Sequence, residues 1–424
     1  MIEARSSSFR HRRWTATAAI LAAILGASAA RADILVGPEI DLPFLAGSNF
    51  PSLALLDDGS FAIAGCQFVQ VQAYSRNGLP AGTPFLAEPI SLYGGVGSLG
   101  NRYFLSWQHL SPKTGAGTTK AAILSRGGEP LAGPFAWPNS EIEDYFLYYR
   151  FGGSPDHAFV PVFYHQDGVD RLDDPIWVPS LLEYGQNAMA TGHLAPLAKF
   201  QPDWQIYIDD VAVNGEGRIV VLSDQCPVNA TLPQQCVRGL QIFGPSGRAL
   251  SPLLTDGIPQ TVDSDGSLIG PAGLGLDPKG ELLVLWGIGL SNFTIVAQLF
   301  DREGRAISGL LPATQLDGDV GLFKVRPISD GHFALAWLVL HEDGTETIKV
   351  AEFHTATGFS EPVAIGRGVF PGGFEELLFS VNASGHGVVA WRTIDENLFF
   401  HGHAKLITFN RGAAPARGDA GKHQ

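Results

Sequence analysis

The side chains best suited to chemistry here are imidazoles and carboxylates, and both are unevenly placed. His109, His165, His341, His401 and His403 fall in irregular segments between apolar runs. Imidazole can ligate a metal or move protons near neutral pH, but loop histidines are most often simply solvated. His401-x-His403 is the one close pair. The acids concentrate in the links between one apolar pattern and the next. There Asp209, Asp263, Asp265, Asp317, Asp319 and Glu375 are joined by only two basic residues, Lys199 and Arg367. Carboxylates that converge create a negative field, and Ca²⁺ is the cofactor such oxygens would take. The Asp263/Asp265 pair does not extend to a full EF-hand loop, because the twelfth position counted from Thr261 is Ala272. The plainer reading is that Asp is common in turns. Trp177 and Trp204 are candidates for ligand stacking, together with His165, His401 and His403. No GxSxG, HExxH, phosphate-loop or zinc-spaced Cys motif occurs.

The elements that must carry these groups are short strands. One pattern recurs seven times: a short apolar run, a Gly/Asp/Asn turn, and a stronger apolar run that often ends in Trp. The strong runs are SFAIAG, RYFLSW, HAFVPV, RIVVLS, ELLVLW, HFALAW and HGVVAW. Alternating third runs follow, such as TIVAQLF and IKVAEFH, and then short Pro- and Leu-rich runs such as ALSPLL and EPVAIG. No segment after residue 32 sustains a helical apolar period. Four-stranded units in tandem predict an all-β fold, a seven-bladed β-propeller of four-stranded blades. The last copy lacks a fourth run, and ILVGPEIDLP at the other end lacks the preceding three. The N-terminal strand is therefore expected to complete the last blade and leave no open edge. Trp107, Trp286, Trp337 and Trp391 share one repeat position, which predicts packing between blades. Pro161 is a misfit inside a second run, since Pro donates no ladder hydrogen bond; the register over 145–200 is open.

Arg5, Arg10, Arg12 and Arg13 precede an uncharged stretch, 15–30, that is short for a membrane span and ends near Ala30-Arg31-Ala32. This predicts a signal peptide over 1–32, a single propeller over 33–411 and a disordered tail over 412–424. Export to the periplasm or the medium implies an oxidising compartment. Cys226 and Cys236 then pair across one loop, leaving Cys66 as a buried thiol. The net charge of −14 argues against nucleic acid as a partner, and no transmembrane segment is expected after residue 32. A monomer is expected.

The copies SDGHFALAW and TIVAQLFDREGRAIS resemble the tandem repeats of large bacterial secreted propeller-like proteins, of the form DGGFVVAW…VxAQRFDxxGxPVG. The resemblance implies a scaffold and an exported setting, and no reaction. The function expected from sequence is a non-catalytic recognition scaffold whose long loops on one face bind a glycan, a peptide or a cell-surface ligand. The alternative is a Ca²⁺-dependent propeller enzyme, hydrolase or lyase, acting on an extracellular polymer or lactone.

Overall fold

The computed structural model describes residues 34–46, 52–65, 69–88, 91–110, 117–136, 145–147, 152–153, 157–169, 175–185, 190–199, 201, 204–227, 235–245, 248–260, 269–288, 294–313, 319–369 and 377–409. The signal peptide expected over 1–32, the tail expected over 412–424 and Cys66 lie outside them.

The chain is a β-propeller. Alternation of apolar residues with period two, broken by Gly-containing turns, gives antiparallel sheets that follow one another along the chain. The first sheet runs from Ser52–Leu55 to Pro80–Leu86, the second from Ser91–Leu99 to Pro130–Ala136, and the third from Tyr145–Leu147 to Ala190–Pro196. The fourth runs from Trp204–Val213 to Val237–Phe243, the fifth from Ile269–Leu276 to Leu311–Pro312, and the sixth from Asp319–Ser329 to Val363–Gly368. In the closing sheet, Leu377–Val381, His386–Ile394 and Phe400–Phe409 are joined by Ile34–Asp41, which pairs antiparallel with Phe400–Phe409.

The expectation of seven four-stranded blades needs correction: six blades have four strands in line, and the fourth sheet has three. Composition makes ALSPLL read as its fourth strand. The segment instead meets its neighbour through the isolated bridges Leu240↔Leu254 and Phe243↔Ala249 and through Leu250 N and Ser251 at Ile242, without forming a continuous ladder. Pro252 sits between them and cannot donate to a ladder. Pro161 is accommodated differently. Its strand, His157–Val169, keeps its register with Pro175–Gly185, while the strand on its other side is split. Tyr145–Leu147 pairs with residues 162–164 and Gly152–Gly153 with residues 158–159, so neither piece pairs with Pro161.

Neighbouring sheets pack face to face. Trp107, Trp286, Trp337 and Trp391 are all buried in these seams, as their repeat position predicts. The sixth and closing sheets share a core of Ala334, Ala336, Ile348, Val350, Val389 and Trp391. Closing and first sheets meet through Leu55, Phe61, Val388 and Ala390. Turn residues reinforce the ring. Asn382 Nδ2 donates to Leu56 O and Asp57 O of the first sheet, both at 3.1 Å. Asn214 Nδ2 does the same to Asp277 O and Pro278 O, and Asp277 Oδ2 accepts from Gly331 N at 2.8 Å. Asn382→Ala is expected to lower stability by about 1–3 kcal/mol, because two carbonyls lose a buried donor. Asn382→Asp, which keeps the acceptor for the local turn but not the donors, should lose nearly as much; melting curves of both variants check this.

Candidate functional site

The seam between the sixth and closing sheets carries polar groups at both of its ends. Alternation decides which side chains enter it. Ile348 and Val350 face the closing sheet, so Glu346 and Glu352 on the same strand share that face. On the closing sheet, Val389 and Trp391 point into the seam. Thr393, His401, His403 and Lys405 share their side, with Thr393 opposite His401 and Trp391 opposite His403.

At the loop-bearing end, His403 stacks on Trp391 with ring centroids 5.6 Å apart. Its Nε2 is hydrogen-bonded to Thr393 Oγ1 at 2.9 Å, and its Nδ1 lies 2.9 Å from Glu39 Oε1, off the line of a good hydrogen bond. Lys405 Nζ donates to Ile365 O at 2.6 Å and lies 3.6 Å from Glu39 Oε2. Glu346 is opposite Gly368 in the ladder, and a Cβ on Gly368 would come within 2.6 Å of Thr393 Cγ2. Glu346 thus lines the groove that holds Thr393 and His403. Burial pushes its carboxyl above the ordinary carboxylate range, and its Oε2 has no hydrogen-bond partner among the described residues. A carboxyl whose pKa burial raises and an imidazole facing a second carboxylate on one seam are the elements of acid–base chemistry.

The loop-bearing end of this seam carries exposed apolar side chains at Leu340, Val369, Leu398 and Phe399, while Phe400 lies on the opposite face of the closing sheet, under Arg392. Leu398 is unusual in its backbone. The hairpin 395–399 repeats the turn of 341–345, with Leu398 N donating to Asp395 O as Gly344 N donates to His341 O. Gly344 has φ 77° and Leu398 has φ 65°, a left-handed conformation that costs a branched side chain about 1–2 kcal/mol. Leu398 is also 74% exposed, so it gains no burial in return. Leu398→Gly is expected to raise stability by about 1 kcal/mol and to weaken ligand binding at this rim, which thermal melts and a binding titration measure together.

At the turn-bearing end of the same seam, His332 lies opposite His354, and Glu352 is two residues before His354 on the same face. The two imidazoles stack at 3.8 Å. Glu352 Oε1 is 3.5 Å from His332 Nε2, and Oε2 is 3.8 Å from His354 Nε2. One ligand atom from each residue lies within 4.8 Å of the others, the geometry of a metal-binding triad. Burial pushes the Glu352 carboxyl up, but the two imidazoles outweigh it and hold the group below its ordinary value. Two imidazoles suit a borderline transition ion and not Ca²⁺, which takes oxygen ligands. The sequence signal for this triad is Glu-x-His on a third strand, with a His at the head of the second.

The residues expected from sequence are scattered. His401 is on the groove side but pairs with Asp395 at 3.1 Å, and this imidazole, with the Phe399 and Asn397 amides, holds the Asp395 carboxyl down. His165 and Trp177 are opposite each other in the third sheet. Trp204 begins the fourth, next to the Cys226–Cys236 disulfide, which is present with Cα atoms 4.2 Å apart. Asp209 Oδ2 lies 4.0 Å from Arg238 Nε. Asp319 opens a strand opposite Leu340, while Asp263, Asp265, Asp317 and Glu375 lie outside the described residues. His109 has its own carboxylate, Glu88, which it shares with Lys120 in the seam between the first and second sheets.

No family model matches the chain, and no curated protein matches it. Solved structures do. The chain is similar to polysaccharide lyase Uly1, at 10% identity over 86% of this chain and 90% of that one, with a TM-score of 0.51. It is also similar to an ulvan lyase of a polysaccharide lyase family, at 11% identity over 88% and 94% and a TM-score of 0.48. A third is an α-L-arabinanase of Penicillium chrysogenum, at 13% identity over 74% and 93% and a TM-score of 0.41. At such identities the likeness is one of fold, and that fold is the β-propeller.

Proposed function

We propose that this chain is an exported propeller enzyme that cleaves a polysaccharide by acid–base chemistry in the groove between the sixth and closing sheets. The observation that carries the reading is Glu346, whose Oε2 has no hydrogen-bond partner among the described residues and whose carboxyl burial pushes up, beside Gly368 and Thr393 on the seam face that also holds His403 and Glu39. Glu346 would give its proton to the departing glycosidic oxygen. His403, with Nδ1 facing Glu39, would accept at Nε2, in place of its Thr393 contact, the proton taken from water in a hydrolase, or from the carbon beside a uronate carboxylate in a lyase. Phe399, exposed near the same end, offers an apolar face on which a sugar ring would stack. The Cys226–Cys236 disulfide fits an oxidising compartment. Among the described residues no helix is long and apolar enough to cross a membrane.

The fold likeness guides which substrates to try first, because the similar structures are named as polysaccharide lyases and an arabinanase. It lends no support to a purely recognition role. The test is to incubate the full chain with uronate-containing polysaccharides, arabinan and neutral glucans, and to follow new reducing ends. Near-ultraviolet absorbance of an unsaturated uronate separates elimination from hydrolysis. Cleavage of one class is the expected result. Saturable binding of a polysaccharide with no new ends would overturn the enzymatic reading and return the chain to recognition.

A further inference from the structure

We propose that His332, Glu352 and His354 bind one zinc ion at the turn-bearing end of the seam between the sixth and closing sheets. This does not rest on the polysaccharide reading.

Three observations carry it. His332 and Glu352 are 5% and 6% exposed, and His332 Nε2 and Glu352 Oε1 face each other at 3.5 Å with no hydrogen bond of good geometry among the described residues. Burying such groups without a well-made hydrogen bond costs free energy, and one cation between them would satisfy both. The donor set, two imidazoles and a carboxylate, is a common zinc set, with a fourth position left for water. His354 is 38% exposed and gives the ion a way in.

The backbone under the triad is already fixed. Glu352 N donates to Ser360 Oγ, and Ser360 N to Glu352 O, both at 2.9 Å. Thr355 N donates to Gly331 O at 2.9 Å, which holds the strand ends bearing His354 and His332 side by side. Only small side-chain shifts separate atoms within 4.8 Å of one another from bonds of about 2.0–2.1 Å to a common centre. The neighbouring repeat copy shows how specific this is. His386 heads the equivalent strand of the closing sheet, but Thr408 stands opposite it and Leu406 takes the place of Glu352. A zinc ion here would tie the second strand of the sixth sheet to the third, beside the Asp277–Gly331 contact that joins this sheet to the fifth.

The experiment titrates the dialysed full chain with Zn²⁺, with Ca²⁺ as the comparison, and then substitutes Co²⁺. One zinc per chain is expected, no competition from Ca²⁺, and a visible four-coordinate Co²⁺ spectrum. Zinc at a hundred times its Kd should raise Tm by about 3 °C. His354→Ala and Glu352→Gln should each weaken zinc binding at least about tenfold, and His386→Ala should leave it unchanged. If Glu352→Gln does not fold, His354→Ala decides, since that imidazole is half-exposed. No bound zinc, or stoichiometric zinc retained by the His354→Ala chain, would overturn the proposal.

Discussion

Replacing Glu346 with Gln is expected to slow polysaccharide cleavage by about 10²–10⁴-fold, the usual contribution of a general acid. The fold should survive, because the change removes a charge that burial already disfavours and keeps the shape of the side chain. The pH dependence carries the sign. A group that works protonated is competent below its pKa and incompetent above it. Since burial raises that pKa, activity in the native chain should extend above the ordinary carboxylate range and then fall as pH rises through it. Glu346→Gln should abolish that falling limb along with most of the rate, whereas a merely structural role for Glu346 would lower the rate without changing the profile. Kinetics of both chains across pH read both effects. A Glu346→Gln enzyme with native turnover would remove the acid from this site.

The second large effect concerns stability. Arg238 is 1% exposed, at the end of the fourth sheet that faces the fifth. Its Nε and Nη2 donate to the two Asp224 oxygens at 2.8 and 2.7 Å, and Nη1 donates to Ile269 O at 2.8 Å. Its guanidinium also lies 5.5 Å from the centre of the Trp286 ring. Arg238→Met should destabilise the chain by about 3–5 kcal/mol, because Asp224 is left without its cation and Asp209 is close by. The expected drop in Tm is about 5 °C for a chain of this size. The double change Arg238→Met with Asp224→Leu should recover most of the loss, since the cost lies in the stranded charge and not in the missing pair. Denaturant midpoints of the three chains test this. A single variant as stable as the parent would show that the pair contributes nothing.

Much of the fold is written in the spacing of the sequence, and much of the site is not. Period-two runs and Gly turns mark each strand, and a Trp recurring at one position marks the seams, so both follow from local pattern. The three-stranded sheet is harder to foresee, because ALSPLL has the composition of its counterparts, proline included. His332 and His354 illustrate a different limit. Each reads as the end of an apolar strand, 22 positions from the other, and they are brought opposite by the pairing His332↔His354. Only that register shows that they share a face with Glu352. His403 and His401 stand out by their spacing, but they sit on a strand, and Trp391, Thr393 and Asp395 across the ladder determine what each can do. Asp209 reads as a ligand for a cation, and the cation it approaches is Arg238 of its own sheet. Glu346 carries no sequence signal, because the burial that raises its pKa comes from neighbours distant along the chain.

The antiparallel pairing of Ile34–Asp41 with Phe400–Phe409 also bears on assembly order. The strand made earliest finds its partner only after nearly all the intervening chain has emerged, so the final latch is a contact of very high sequence separation and slow to form. Until then a lone strand and an unfinished sheet edge coexist in the nascent polypeptide, each able to join the wrong neighbour. Any cell that makes this protein must keep the two apart from other chains until they meet.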